Sequence, residues 1–280
     1  MNTLFLASNL EIIIKYIIIA LIQGIAEILP ISSSGHMVIA QSVLGIETSD
    51  LSLEIFLHFG SLIAIFIFFR KKIWAIIKDF FVYLFKKDEN AKANYKLAWY
   101  IVIATIPAAI AGLFLEDIIG KYLKQLWIVG IFLLITSALL YLSCKAKREK
   151  ELKDLTWKNA LAIGLFQCLG LLPGISRSGS TLVGGASQKV KQTDAADFAF
   201  ILALPVMLGS AILSIGDISN ALSNKDLLIP YIVGFIVTLA TTYLTIKLFF
   251  SFIKKRKMSI FSIYCLCVGV LIIILDLTII

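Results

Sequence analysis

Apolar runs of about twenty residues recur through this chain, and they leave few folds open. A helix needs roughly 20 apolar residues to cross a hydrocarbon core about 30 Å thick. Continuous runs of that kind cover about 52–69, 97–115, 127–143, 197–215, 227–250 and 260–280. A transmembrane barrel would instead show alternating strands of about ten residues. Composition agrees: 59% of the 280 residues are hydrophobic and 16% charged, with a mean hydropathy of +0.94, whereas soluble domains carry about 25% charged residues. A soluble enzyme, a disordered chain and a secreted disulfide scaffold are excluded. The expected fold class is an all-α polytopic membrane protein with six transmembrane helices.

Two further apolar stretches, near 10–45 and 159–188, are interrupted by Pro, Ser and Gly. Such a segment cannot run as one helix through lipid. It survives at membrane depth only where protein or a water-filled cavity satisfies the broken backbone. Both are read as re-entrant hairpins.

Basic residues orient the spans. Segments 70–96, 144–158 and 251–259 carry 18 of the 26 Lys and Arg residues, Arg256 among them. Segments 116–126 and 216–226 carry only Lys121, Lys124 and Lys225. The positive-inside rule places the first three in the cytoplasm and the other two outside. The first hairpin then enters from outside and the second from inside, each followed by three crossings. The expectation is a single membrane domain, 1–280, built as an inverted-topology repeat with halves of about 1–145 and 146–280. An offset of 144 residues aligns Gln23 with Gln167 and Ile31–Gly35 with Ile175–Gly179 without a gap.

The chemistry concentrates in those two interruptions. The first runs from Gln23 to His36 and holds Glu27, Pro30, Ser32, Ser33 and Ser34. Gln23 and Glu27, four apart, share a helix face. The second, Pro173 to Thr181, holds Ser176, Arg177 and Ser178. Arg177 can grip a phosphate in bidentate fashion, and free backbone N–H groups at such breaks favour anions. Glu27 can hold a hard divalent cation, with Gln23 and substrate oxygens as further ligands. His36 can serve as acid/base or nucleophile, and Ser33 as a nucleophile activated by His36. That inventory suits phosphoryl transfer. Ionisable groups in a membrane are costly, which marks Glu27, His36 and Arg177 as functional. Any one hydroxyl, and Gln23, serves helix packing equally well.

Elsewhere the readings are plainer. His58, in an apolar span, reads as a hydrogen-bonded packing histidine. Asp194 and Asp197 read as charges at a helix start. Glu11 and Lys15 read as a pair, Asp276 as interfacial, and Pro107 and Pro205 as kink positions. The four cysteines read as small apolar residues. The net charge of +8 belongs to cytoplasmic loops rather than to a nucleic-acid partner. No basic region precedes the first apolar run, which argues against a cleaved signal peptide.

The motifs Gln23–His36 and Pro173–Thr181 closely resemble those of the undecaprenyl-diphosphate phosphatase family, the BacA-type bacitracin-resistance proteins, over essentially the whole chain. The resemblance implies removal of the terminal phosphate of a polyprenyl diphosphate at the outer face of the bacterial inner membrane, regenerating the carrier lipid for peptidoglycan synthesis. It implies Glu27 as a metal-linked carboxylate, Ser33 or His36 as nucleophile and Arg177 as phosphate clamp. Gln23, Ser32, Ser34, Ser176, Ser178 and Thr181 would contact substrate. A Mg²⁺ or Ca²⁺ ion would be held by Glu27 and Gln23, and the partners would be the lipid substrate and the bilayer. Gln23 stands where many members carry Glu, which removes one charge from the cation site. The resemblance also allows a homodimer. A polyprenyl-phosphate transporter or flippase is the rival reading, since inverted repeats suit transport too.

Overall fold

A computed structural model describes residues 2–46, 51–216, 225–255 and 257–279. The segment 216–226, expected outside, falls largely beyond these residues, as does Arg256. Among the described residues the chain is helical, with one isolated bridge between Lys150 and Val190 in place of any strand. The helices are α1 (Asn2–Ala26), α2 (Ser33–Leu44), α3 (Leu51–Lys86), α4 (Lys92–Tyr122), α5 (Leu126–Cys144), α6 (Trp157–Leu169), α7 (Arg177–Ser187), α8 (Gln192–Leu213), α9 (Lys225–Lys254) and α10 (Ser259–Ile279). Six of them, α3, α4, α5, α8, α9 and α10, are long and apolar enough to cross a membrane. Both interruptions fall between helices, separating α1 from α2 and α6 from α7. At 13 and 11 residues, α6 and α7 are each too short to span a hydrocarbon core.

Two boundaries depart from expectation: α4 runs on to Tyr122, so most of segment 116–126 is helix, and the longer departure lies before it. Segment 70–96 is not a loop: α3 continues as helix to Lys86 and α4 begins at Lys92. The reason is in the residues. No Gly or Pro lies between Gly60 and Pro107, and Ile73, Ile76, Ile77 and Phe80 recur at helical spacing. The turn is made at Lys87, whose φ is +55°, and Asp88 caps the short turn after it by accepting from Asn90 N–H at 2.9 Å. Phe80 stacks on Tyr95, and Asn94 donates to Asp79 at 2.6 Å, zipping the extension together. Pro107 and Pro205 lie inside α4 and α8, as does Pro230 in α9.

Small residues set the packing, as membrane helices require. Antiparallel α5 and α10 touch backbone to backbone: a Cβ at Gly130 would meet Gly269 O at 3.0 Å, and one at Gly269 would meet Gly130 O at 2.9 Å. Two turns on, Ser137 and Ser262 each donate to the other's carbonyl, at 2.7 and 2.8 Å. Helix α1 lies parallel to α9, with Gly24 against Thr238–Thr242 and Thr238 Oγ1 donating to Ala20 O at 3.2 Å. Helix α3 also runs parallel to α9, through Phe56–Tyr231 near one end and Phe68–Phe250 near the other. On the opposite flank α4 packs on α6, where Gly164 abuts the Ala104 backbone.

Of the remaining charges, Glu11, Lys15 and Asp194 fall as read, whereas Asp197 lies beyond the first turn of α8 and serves an ion pair to α3. Glu11 pairs with Lys15 at 2.8 Å. Asp194 accepts from Leu152 N–H at 2.8 Å, and Asp197 pairs with Lys72 at 2.5 Å. Loop 145–156 is stitched to the α7–α8 turn: Lys191 N–H donates to Lys150 O at 2.8 Å, and Lys191 Nζ pairs with Glu151 at 2.7 Å.

Candidate active site

The two interruptions meet. A Cβ at Gly35 would lie 2.9 Å from Gly174 Cα, so only glycine permits this approach. Ser32 caps α2 by accepting from Gly35 N–H at 3.2 Å, and the same oxygen accepts from Gly174 N–H at 3.0 Å. Ser176 caps α7 in the equivalent way, accepting from Gly179 N–H at 3.0 Å. Ser178 Oγ lies 3.2 Å from Ser176 Oγ and donates to Leu29 O at 3.4 Å. Thr181 returns its hydroxyl to the carbonyls of Arg177 and Ser178, each at 3.0 Å. Ser32 and Ser178 therefore tie the two breaks together, Ser176 and Thr181 secure the start of α7, and none of the four lines the cavity described next.

A cavity of about 200 Å³ opens beside this junction. Its polar wall is Glu27, Ser33, Ser34, His58, Arg177 and Ser210; Ile55, Phe59, Val206, Met207 and Ala211 form an apolar wall between α3 and α8. Glu27, in the turn after α1, is the centre of the polar wall, its side chain 2% exposed. One oxygen, Oε1, accepts from the Arg177 guanidinium. The other, Oε2, accepts from Ser33 Oγ at 2.7 Å and Gln23 Nε2 at 3.0 Å. Arg177 opens α7 and is seated by Gly170, where a Cβ would fall 2.4 Å from Arg177 Cα. A buried charge pair of this kind is tolerated only when its remaining hydrogen-bonding positions are satisfied, and here Ser33 and Gln23 satisfy them.

His36 does not line the cavity. Its Nδ1 lies 2.8 Å from Ser32 O, and its Nε2 2.8 Å from the hydroxyl of Tyr264, on whose ring it stacks. Ser33, expected to be activated by His36, is bonded to Glu27 instead. The imidazole in the cavity wall is that of His58, with Nδ1 3.2 Å from Gln23 Nε2 and 3.4 Å from Glu27 Oε2. Reading it as a packing residue missed its place. The signal was available: the cost of an ionisable group in an apolar span marks His58 as it marks Glu27. Ser210, on α8, carried no signal at all.

For a divalent cation the fit is partial. Among the described residues no cluster of three or more His, Cys, Asp or Glu exists. Glu27 and the Gln23 amide are nevertheless adjacent, and Gln23 Oε1 is buried without a partner. That pair suits a cation that arrives with, and is largely held by, phosphate oxygens, the usual manner of Mg²⁺.

The family described as bacitracin resistance protein BacA matches residues 16–271. The chain is 41% identical over 259 residues to undecaprenyl-diphosphatase 1 of Bacillus cereus, covering 92% of this chain and 96% of that protein. It is 39% identical over 268 residues to the undecaprenyl-diphosphatase of Oceanobacillus iheyensis, covering 95% and 98%. Against that of Methanosphaera stadtmanae it is 39% identical over 274 residues, covering 94% and 98%. At this identity and over nearly the whole of each chain, the match is unambiguous: the chain belongs to the BacA family.

Proposed function

We infer that this protein is a multi-pass cell-membrane hydrolase that removes the terminal phosphate of undecaprenyl diphosphate, giving the monophosphate carrier lipid and inorganic phosphate for peptidoglycan synthesis. Membership of the BacA family and the names of its relatives support the reaction. The observation that carries the chemistry is the single carboxylate, Glu27, bonded at once to the Ser33 hydroxyl and the Arg177 guanidinium on one cavity wall.

Arg177 exchanges Glu27 for the terminal phosphate, whose planar oxygens suit its fork. Ser33 Oγ attacks that phosphorus while its proton passes to Glu27 Oε2. The bond to the bridging oxygen breaks and the lipid monophosphate leaves. Water then attacks the phosphoserine, the P–Oγ bond breaks, and Ser33 recovers its proton from Glu27 as phosphate departs. Ser34 and Ser210 are positioned to donate to substrate oxygens. A Mg²⁺ or Ca²⁺ ion held by Glu27, Gln23 and the diphosphate would neutralise substrate charge. The apolar wall between α3 and α8 gives the first isoprene units a dry contact; exposing them to water would cost roughly 0.8 kcal/mol per CH₂.

Orientation follows from charge. Basic residues crowd the C-terminal ends of α3, α5 and α9, while His58 and Phe59 sit in the opposite part of α3. The cavity therefore faces outward, away from the cytoplasm. The hairpins are re-entrant and the halves are related by a pseudo-two-fold axis. Support comes from the equivalent caps at Ser32 and Ser176, and from the packing of α1 on α9 matched by that of α6 on α4. Transport without hydrolysis is disfavoured, because it has no use for a serine set against a carboxylate.

The test is phosphate release from undecaprenyl or farnesyl diphosphate by purified protein with Mg²⁺ or Ca²⁺. Wild type releases phosphate and Ser33→Ala does not. Equal release by wild type and by Arg177→Ala overturns the assignment.

A further inference from the structure

Ser32 is held in a conformation that L-residues avoid. Its φ is +72°, a left-handed value costing a non-glycine residue on the order of 1–3 kcal/mol unless its surroundings impose it. The next residue is Ser33, so whatever imposes that conformation also aims the reacting hydroxyl. The clamp is visible. Ser32 O accepts from both the backbone N–H of His36, at 3.1 Å, and its Nδ1–H, at 2.8 Å. A carbonyl only accepts, so Nδ1 carries the proton, and in the neutral ring Nε2 is left as acceptor for the Tyr264 hydroxyl at 2.8 Å. The two rings stack with centroids 5.6 Å apart. The next residue of α10, Cys265, reaches the other side of the break, with Sγ 3.8 Å from Pro30 O. On the opposite half, Thr136 of α5 does the same service for the second break, donating to Gly174 O at 2.9 Å and accepting from Ser176 N–H at 3.3 Å. Because α5 and α10 are joined backbone to backbone, the pair forms one brace across both breaks.

We propose that Tyr264 is a positioning residue for the hydrolysis: through His36 it fixes the Ser32 carbonyl and sets the Ser33 hydroxyl against Glu27. His36 acts by the same route, without touching the phosphate. The proposal rests on the hydrolase reading, with Ser33 as nucleophile.

Three variants and one spectrum test it. Tyr264→Phe keeps the ring stack and loses only the hydroxyl; it lowers kcat on the order of tenfold with KM nearly unchanged, because small displacements of a reacting group are costly. His36→Asn, which retains a donor near the Nδ1 position, stays well above His36→Ala. The double variant Tyr264→Phe/His36→Asn is no slower than His36→Asn alone, since both act through one hydrogen-bond chain. Wild-type kcat in Tyr264→Phe overturns the proposal. So does His36→Asn as inactive as His36→Ala, and so does phosphate trapped on His36 of the wild type. The chain has only two histidines, so ¹⁵N spectra resolve His36 once His58 is replaced. The expected signature is a neutral Nδ1–H tautomer whose Nε2 resonance moves in Tyr264→Phe; an Nε2–H tautomer overturns the proposal. If that signature holds while wild type releases no phosphate, the hydrolase reading fails and the brace stands.

Discussion

At the scale of single residues, the site depends on one carboxylate with several claimants. Arg177→Lys keeps the charge but loses the planar fork, and a point charge cannot hold phosphate at two oxygens. The expected loss is about 10- to 100-fold in kcat/KM, measured as phosphate release. Glu27→Gln removes the proposed proton acceptor for Ser33, and with it the charged member of the proposed cation pair. Activity falls by about 10² or more and its dependence on added Mg²⁺ largely disappears, while the amount of membrane-inserted protein holds. Full activity in that variant would end the role given to Glu27. Glu27 and Arg177 were legible in the sequence because charge is costly in an apolar run. The serines were not sortable by that rule. Ser33 and Ser34 face the cavity, whereas Ser32, Ser176, Ser178 and Thr181 secure the breaks, and a hydroxyl in a sequence does not reveal which carbonyl or ligand it will meet. His36 and His58 exchanged their expected places for the same reason: direction depends on the neighbouring helix, and Tyr264 lies 228 residues from His36.

At the scale of elements, the helix count was readable from hydropathy, but the extent of α3 was not. A cluster of lysines reads as a loop, yet without Gly or Pro the helix simply continues, amphipathic, for another four turns. The α5–α10 seam is specific enough to test. A Cβ at Gly130 would fall 2.6 Å from Ile273 Cγ1, so Gly130→Leu overpacks the contact by roughly 1–3 kcal/mol, seen as a lower melting temperature in detergent. Because the brace crosses both breaks, phosphate release falls with it. The stitching of loop 145–156 has its own pH behaviour. Hydrogen bonds from Lys191 and Lys153 hold the Glu151 carboxyl down to about 2, below its ordinary 4.5. A depressed carboxyl stabilises fully above its unfolded value and loses that contribution as pH falls through the folded one. The melting difference between wild type and Glu151→Gln is therefore constant from about pH 5 to about pH 8 and shrinks only in stronger acid.

At the scale of the whole molecule, the orientation proposed from the charge pattern puts the α3–α4 turn in the cytoplasm and the α4–α5 turn outside. With the native exposed Cys144 and Cys267 replaced, a cysteine at Lys87 resists a membrane-impermeant maleimide in intact cells, and one at Gln125 reacts. The opposite pattern would turn the cavity to the cytoplasm. The proposed repeat rests, in the sequence, on a short register of matched residues, since apolar helices drift freely while keeping their hydropathy. Its physical content lies in the meeting of Gly35 with Gly174 and in the division of labour across that line. In the proposed mechanism the nucleophile and its base come from residues before the midpoint, and the guanidinium from residues after it. Neither portion of the gene encodes a working centre, so a break in the chain near residue 146 would leave two inert fragments, and any catalysis they recovered on mixing would report how faithfully the glycine seam finds its own alignment.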